Sequence, residues 1–161
     1  MPVESDQFKQ VLAQWATGVT IVTARDGDHI HGMTVSAFTE VSLEPPLVLI
    51  CADKQSDTHP VIAAGKSFAV NILGRDQAPL STRFASKKDE AKRFVGVEYD
   101  TGETGAPLLA HCVANLDCRV VAAHEHGDHV VYVGEVVLLR RSLAAEPLVY
   151  HSGTYGEFSP A

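Results

Sequence analysis

The sequence predicts a mainly β fold, a small closed or nearly closed barrel with flanking helices, and three observations carry this. Apolar, largely β-branched runs recur at Gly18 to Ala24, Leu47 to Ala52, Ser67 to Leu73, Cys112 to Ala122 and His129 to Arg140. Tight-turn signals at Asp26-Gly27-Asp28, Pro45-Pro46 and Gly127-Asp128 join neighbouring runs, where a parallel sheet would need long helical crossovers. Helical periodicity is confined to short segments between and beside the strands.

The elements follow in order. Ser5 can cap a first helix whose Phe8, Val11, Leu12 and Trp15 fall at i, i+3, i+4 and i+7, one apolar stripe. Gly18 ends that helix and opens a strand to Ala24. The chain then turns and returns as a hairpin through His31 to Val41. Leu47 to Ala52 is wholly apolar and is expected to be buried on both faces. Asp57 or Thr58 caps a helix of one or two turns through Val61 and Ile62, and Ser67 to Leu73 is the next strand. Asp76 to Phe94 turns polar around the anchors Leu80, Phe84 and Phe94, which predicts helix and loop. Gly96 to Pro107 holds four Gly or Pro residues and is expected to be irregular. Cys112 to Ala122 and His129 to Arg140 form a hairpin. Leu148 to Tyr150 is a last short strand before a Gly153-Thr154-Tyr155-Gly156 tail. No repeat, low-complexity tract or linker interrupts the chain, so residues 1-161 are expected to form one domain.

Composition narrows the function. A formal charge of −7 and a pI near 5.5 argue against nucleic acid or an anionic membrane as the main partner. No apolar run nears the roughly 20 residues of a spanning helix, and MPVESDQF lacks the basic and apolar regions of a signal peptide. Cys51, Cys112 and Cys118 have no metal-like spacing, and an odd count fits a reducing compartment. A soluble cytoplasmic protein is expected. No GxGxxG follows a strand, and Walker, GxSxG and paired CxxC motifs are lacking, so a Rossmann dinucleotide site is excluded.

The stretch from Gly32 to Asp57 holds the chemistry. Thr34 and Ser36 lie beside Gly32 and Ala37, and the next strand leads into Lys54, Ser56 and Thr58. Small residues let a flat ligand approach the backbone, while hydroxyls, N–H groups and one cation suit a phosphate. Thr34, Ser36 and Thr39 could equally be strand residues on a solvated face. His124, His126 and His129 raise a metal question, but Glu125 to Asp128 reads as a solvated hairpin tip, and no metal site is expected. His129 opens an apolar strand, which sets its ring at a barrel rim, within reach of a ligand.

With those residues in place, the chain resembles the flavin reductase family, small split-barrel flavoproteins that serve two-component monooxygenases. The resemblance runs through FKQVLAQWATGVTIVTA, GMTVSAFTEVSLEPPLVLIC, FAVNIL at Phe68 to Leu73 and LSTRFA at Leu80 to Ala85. It continues through RFVG at Arg93 to Gly96, GAPLL at Gly105 to Leu109, GDHVVYVGEV at Gly127 to Val136 and PLVYHSGTYG at Pro147 to Gly156. Each segment is weak alone; their order and spacing are specific.

That resemblance implies a Greek-key split β-barrel of FMN-binding type, working as a homodimer with flavin near the subunit interface. It implies that Thr34, Val35, Ser36 and Ala37 line the isoalloxazine and ribityl chain, and that Cys51, Ala52 and Asp53 continue the wall. Lys54, Ser56 and Thr58 would hold the flavin phosphate. Ser81, Arg83, Phe84 and Ala85 match the segment that closes over the flavin, His129 the histidine beside the nicotinamide, and Tyr155 a C-terminal aromatic near the same pocket. Val35 and Ala37 stand where many relatives carry Ser or Asn, which leaves the choice between FMN and FAD open. The implied activity is hydride transfer from NADH or NADPH to flavin N5, supplying diffusible reduced flavin to a partner monooxygenase. His129 would be the catalytic residue, orienting the nicotinamide or helping to protonate reduced flavin. Two alternatives stand: an enzyme on the same barrel with bound flavin and another small-molecule substrate, or a non-catalytic flavin-binding protein.

Overall fold

Alternating apolar and polar residues give strands one buried face, and the burial along this chain follows that period over most of its length. The computed structural model describes residues 2–143 and 145–161. Helix α1 (Ser5–Leu12) leads into the short strand β1 (Thr17–Gly18). Strands β2 (Thr20–Asp26) and β3 (His29–Val35) form one hairpin, and β4 (Phe38–Leu43) and β5 (Pro46–Asp53) a second. Helix α2 (Thr58–Gly65), β6 (Ser67–Ile72) and helix α3 (Ala78–Ala85) follow, then a 3-10 turn at Glu90–Lys92. Strands β7 (Tyr99–Thr101) and β8 (Pro107–Leu109) pair with each other. The long hairpin of β9 (Ala114–His126) and β10 (His129–Arg141) precedes β11 (Leu148–His151) and β12 (Thr154–Glu157).

Seven strands form one sheet in the order β3-β2-β6-β9-β10-β5-β4, every neighbouring pair antiparallel. Its two edge strands, β3 and β4, are consecutive in the chain and joined only by Ser36 and Ala37. Three Cα–Cα steps from Val35 to Phe38 span about 11 Å at most, so the sheet must curl until its edges nearly meet. The result is a barrel with a seam, split where the two edge strands face each other. A second sheet, β1-β11-β12, lies beside it.

The barrel interior is filled by Val22, Met33, Ile50, Phe68, Val70 and Tyr132, and α2 closes one end with Val61 and Ile62. Strands β2 and β6 are buried on both faces, because a second cluster of Ile21, Leu73, Phe84, Leu109 and Leu148 packs outside the barrel wall. Asn71 on β6 pins that outer layer. Its amide donates to Ile21 O at 2.9 Å and lies 3.1 Å from Thr23 Oγ1, while its oxygen accepts from Leu109 N and Asn115 Nδ2, both at 2.8 Å.

Several expectations are corrected. The run from His31 to Val41 is two strands, because Ser36 and Ala37 break the ladder and β4 crosses to pair with β5. Leu47 to Ala52 is not buried on both faces: Val48, Ile50 and Ala52 point inward, while Leu47, Leu49 and Cys51 are half-buried. The helix begins after Glu4 and ends at Leu12, so Trp15 lies beyond it, and none of its residues is buried. Gly18 pairs with Val149 instead of ending that helix. Gly96 to Pro107 is not wholly irregular, since it contributes β7 and the start of β8.

Candidate functional site

The crossing at Ser36 and Ala37 opens a groove of about 470 Å³ on the barrel's outer face. Ala37 is fixed there by its carbonyl, which accepts from Cys51 N at 3.1 Å. Phe38 and Thr39 of β4 and Leu49 and Cys51 of β5 form one wall, and Trp15, just after α1, and Thr17 of β1 complete the lining. Tyr150 and Ser152 close the end near β11. That end is held by Ser152 N, which donates to Ala13 O at 3.0 Å. Small side chains at Ser36, Ala37 and Cys51 between aromatic ones leave a slot with few polar groups, the usual character of a site for a flat organic ligand.

Past Cys51 the same strand edge reaches a polar rim. In the ladder between β5 and β10, Cys51 faces Val131 and Asp53 faces His129. The imidazole therefore stands one pleat beyond Cys51, about 7 Å along the strand. His129 Nδ1 lies 2.7 Å from Asp128 Oδ1. That carboxylate accepts, so Nδ1 carries the proton and Nε2 is the free nitrogen. The same hydrogen bond holds the Asp128 carboxyl below its ordinary range. Beside it, Lys54 Nζ lies 2.9 Å from Glu125 Oε2 and donates to Gly127 O at 3.0 Å. Ser56 Oγ accepts from His59 N at 3.2 Å at the start of α2.

A third group lies across the outer layer. Thr34 Oγ1 donates to Ser81 O at 2.6 Å, and Ser81 Oγ lies 2.8 Å from Tyr155 OH. This chain ties β3 to α3 and to β12, and Tyr155 in turn packs on Tyr150 with ring centroids 5.3 Å apart.

The structure thus brings Ser36, Ala37 and Cys51 together in the groove, sets Asp53 and His129 one pleat beyond Cys51 with Lys54 and Ser56 following in the chain, and links Thr34, Ser81 and Tyr155 by hydrogen bonds. Other expected site residues are turned away. Val35 and Ala52 alternate onto the barrel's inner face, so only their backbones face the groove side. Thr58 is fully buried, its hydroxyl 2.8 Å from His31 Nδ1. Phe84 is also fully buried, edge-on to Phe94 and so close beneath Gly32 that a Cβ there would lie 2.9 Å from its ring. Arg83 spends its guanidinium on Lys92 O and Val95 O, fastening the loop after α3, and Ala85 is exposed at that helix's end. The side chains of Thr58 and Phe84 therefore present no surface to the groove. A motif carried over as a continuous run ignores the alternation that sends every second side chain inward.

The residues that sequence reasoning missed are Trp15, Thr17, Phe38, Leu49, Tyr150 and Ser152. Leu49 was legible, since it shares a strand face with Cys51. Phe38 follows Ala37 directly at the start of β4, and Trp15, Thr17, Tyr150 and Ser152 come from segments that meet only through the second sheet.

A curled antiparallel sheet with an apolar slot at its seam and a polar rim defines a class, the split-barrel proteins that hold a flat cofactor outside the barrel wall. The comparisons with known proteins narrow this. The model of the flavin reductase like domain matches residues 12–159, and the chain belongs to that family. It is 38% identical over 155 residues, 96% of this chain and 87% of the other, to the FMN reductase (NADH) SmoA of Agrobacterium fabrum. It is 39% identical over 159 residues, 99% of this chain and 84% of the other, to a Rhodococcus opacus protein. That relative is the reductase component of a 4-nitrophenol 4-monooxygenase/4-nitrocatechol 2-monooxygenase. Among solved structures, the NADH:FAD oxidoreductase SgcE6 of Streptomyces globisporus, in complex with NAD and FAD fragments, superimposes with a TM-score of 0.90. It shares 37% identity, over 99% of this chain and 98% of that one.

Proposed function

We propose that this protein is an NAD(P)H:flavin oxidoreductase that delivers reduced FMN or FAD to a partner monooxygenase. The observation that carries the reading is the seam groove of about 470 Å³, walled by Ser36, Ala37 and Cys51 and leading to the His129 rim. Its dimensions and chemistry fit a flavin: an apolar slot for the ring system, and at the strand end a cation and a hydroxyl for a phosphate. When bound, flavin supplies an N5 that accepts the hydride of the reduced nicotinamide.

The chain's own residues do the rest. The backbone of Thr34 to Ala37 and the side chains of Ser36 and Cys51 orient the ring along the seam. Lys54 and Ser56 hold the phosphate end; an exposed Lys–Glu pair is worth at most about 1 kcal/mol, so Lys54 can exchange Glu125 for a ligand anion. Val35, Ala52, Thr58, Ser81, Arg83 and Phe84 brace these segments from behind. His129, its Nδ1–H kept on Asp128, offers Nε2 to position the nicotinamide or to hand over a proton. Tyr155 steadies Ser81 and Tyr150 at the groove's far end.

The reading includes a homodimer in the cytoplasm. Leu12 and Trp15, which line the groove, belong to an apolar surface that the described residues leave largely bare, so a second copy would complete the wall. All three cysteines are free, as a reducing compartment keeps them, and among the described residues no helix is long and apolar enough to cross a membrane. The test is NADH consumption by purified protein with and without added FMN or FAD. Saturable, flavin-dependent turnover is expected. Flavin that stays bound through gel filtration while NADH is left untouched would favour the non-catalytic flavin carrier instead.

A further inference from the structure

The opposite end of β3 carries a cluster that flavin reduction does not use. His31 on β3, Asp57 just before α2 and Glu90 in the 3-10 turn each present one ligand-type atom, all within 4.8 Å of one another. They line a concavity of about 570 Å³ together with Asp26, His29 and Pro60. The His31 side chain is only 9% exposed. Its Nδ1 is tied to Thr58 Oγ1 at 2.8 Å, which fixes the ring and leaves Nε2 aimed at Glu90 Oε2, 3.6 Å away and beyond hydrogen-bond distance. Glu90 Oε2 is shut off from solvent and, as an ion, accepts no hydrogen bond, and the Asp57 carboxyl against it, together with burial, pushes Glu90 above the ordinary carboxylate range. A carboxylate oxygen buried without a donor is costly. A shared cation satisfies that oxygen, the second carboxylate and the imidazole nitrogen at once.

We propose that His31, Asp57 and Glu90 form a binding site for one divalent cation of the zinc class per chain. One imidazole nitrogen with two carboxylate oxygens suits a borderline ion, whereas Mg²⁺ and Ca²⁺ take oxygen ligands. Tetrahedral bonds of about 2.1 Å set ligand atoms about 3.4 Å apart, so the cluster closes by roughly 1 Å on binding. Three protein ligands leave a fourth position for water. Arg93 holds the far side of Glu90, with 3.1 Å to Oε1 and a 2.7 Å bond to Gly32 O, so Oε1 stays in its ion pair and Oε2 is left for the metal. Asp26, Asp57 and Glu90 outnumber the Arg93 guanidinium and the Lys87 ammonium that also acts on Glu90, so the concavity favours a cation and repels phosphate. The ion would staple β3, the start of α2 and the loop after α3, three segments with no covalent link. The site stands independently of the flavin reading.

The test is titration of EDTA-treated, dialysed protein with zinc chloride by isothermal titration calorimetry, with thermal midpoints measured in parallel. Wild type should take up one equivalent per chain and gain thermal stability. Glu90→Gln and Asp57→Asn should each bind at least about tenfold more weakly and lose that gain. Asp57→Asn leaves the Arg93 pair intact, so its result is separate from any loosening of the fold. No saturable binding to wild type overturns the proposal. So does binding that survives Asp57→Asn, which would place the ion elsewhere, as on the exposed His124 and His126.

Discussion

A single hydrogen bond at the start of β10 decides which nitrogen His129 offers. The Asp128 carboxylate takes the Nδ1 proton, so the ring is held in one orientation with Nε2 outward. An orienting or proton-donating contact of this kind is worth on the order of 1–3 kcal/mol in the transition state. His129→Ala should therefore lower NADH-dependent flavin reduction about ten- to hundredfold while flavin affinity stays within a few-fold. Steady-state rates beside a fluorescence titration of flavin would show it, and unchanged turnover would remove His129 from the mechanism. Asn71 makes the opposite kind of contribution, to stability alone. All four of its hydrogen-bonding directions are used, at a site with no exposure. Asn71→Ala strands the Leu109 amide and removes one of the two acceptors of the Asn115 amide in the outer layer, at a cost of about 2–4 kcal/mol. The urea midpoint should fall accordingly with its slope unchanged; a shift under about 0.5 kcal/mol would mean that water replaces the lost partners.

Among the elements, β10 shows how a strand bends around a barrel. Its register with β9 slips between Val133 and Gly134, and at that point the backbone passes directly over Phe68. A Cβ on Gly134 would lie 2.6 Å from Phe68 Cζ and 2.9 Å from Cys118 Cβ. Phe68 and Cys118 are fully buried and cannot swing clear, so Gly134→Ala should destabilise by about 1–3 kcal/mol through overpacking. Thermal unfolding would measure this, and an unaltered midpoint would show that the bulge absorbs a methyl group. The strands themselves were legible in sequence because apolar, β-branched runs between Gly, Asp and Pro turns admit few other readings. The break between β3 and β4 was not. Ser36 and Ala37 carry no turn signal, and the chain leaves one sheet edge for the other only because the curled barrel brings those edges together. The same limit explains the site. Thr34, Ser36, Lys54 and His129 could be singled out by type and position and Cys51 through the family resemblance, whereas Trp15, Tyr150 and the trio His31, Asp57 and Glu90 meet only through tertiary folding.

For the whole molecule, the unsolved energetic problem is α1. An isolated helix of eight residues is unstable in water, and helices are held mainly by burying an apolar face. This one buries nothing within its own chain: Phe8 is 55% exposed, Val11 69%, Leu12 54% and, just beyond it, Trp15 76%. Leu43 at 93% and Leu139 at 70% add further bare apolar surface. A stable dimer needs roughly 1,200–2,000 Å² in total, more than one short helix supplies, so an interface built on α1 would have to extend onto strand surfaces. Because Leu12 and Trp15 also wall the groove, association and flavin binding should be linked. Wild type should run in light scattering at about twice the 17.3 kDa of one chain. Val11 lies on the stripe but outside the groove, so Val11→Asp should yield a folded monomer with at least about tenfold weaker flavin binding. Circular dichroism would establish that the barrel persists, since Val11 supports nothing inside the chain. A wild type that is already monomeric would end the argument for a shared groove, and so would a Val11→Asp monomer that binds flavin as tightly as wild type.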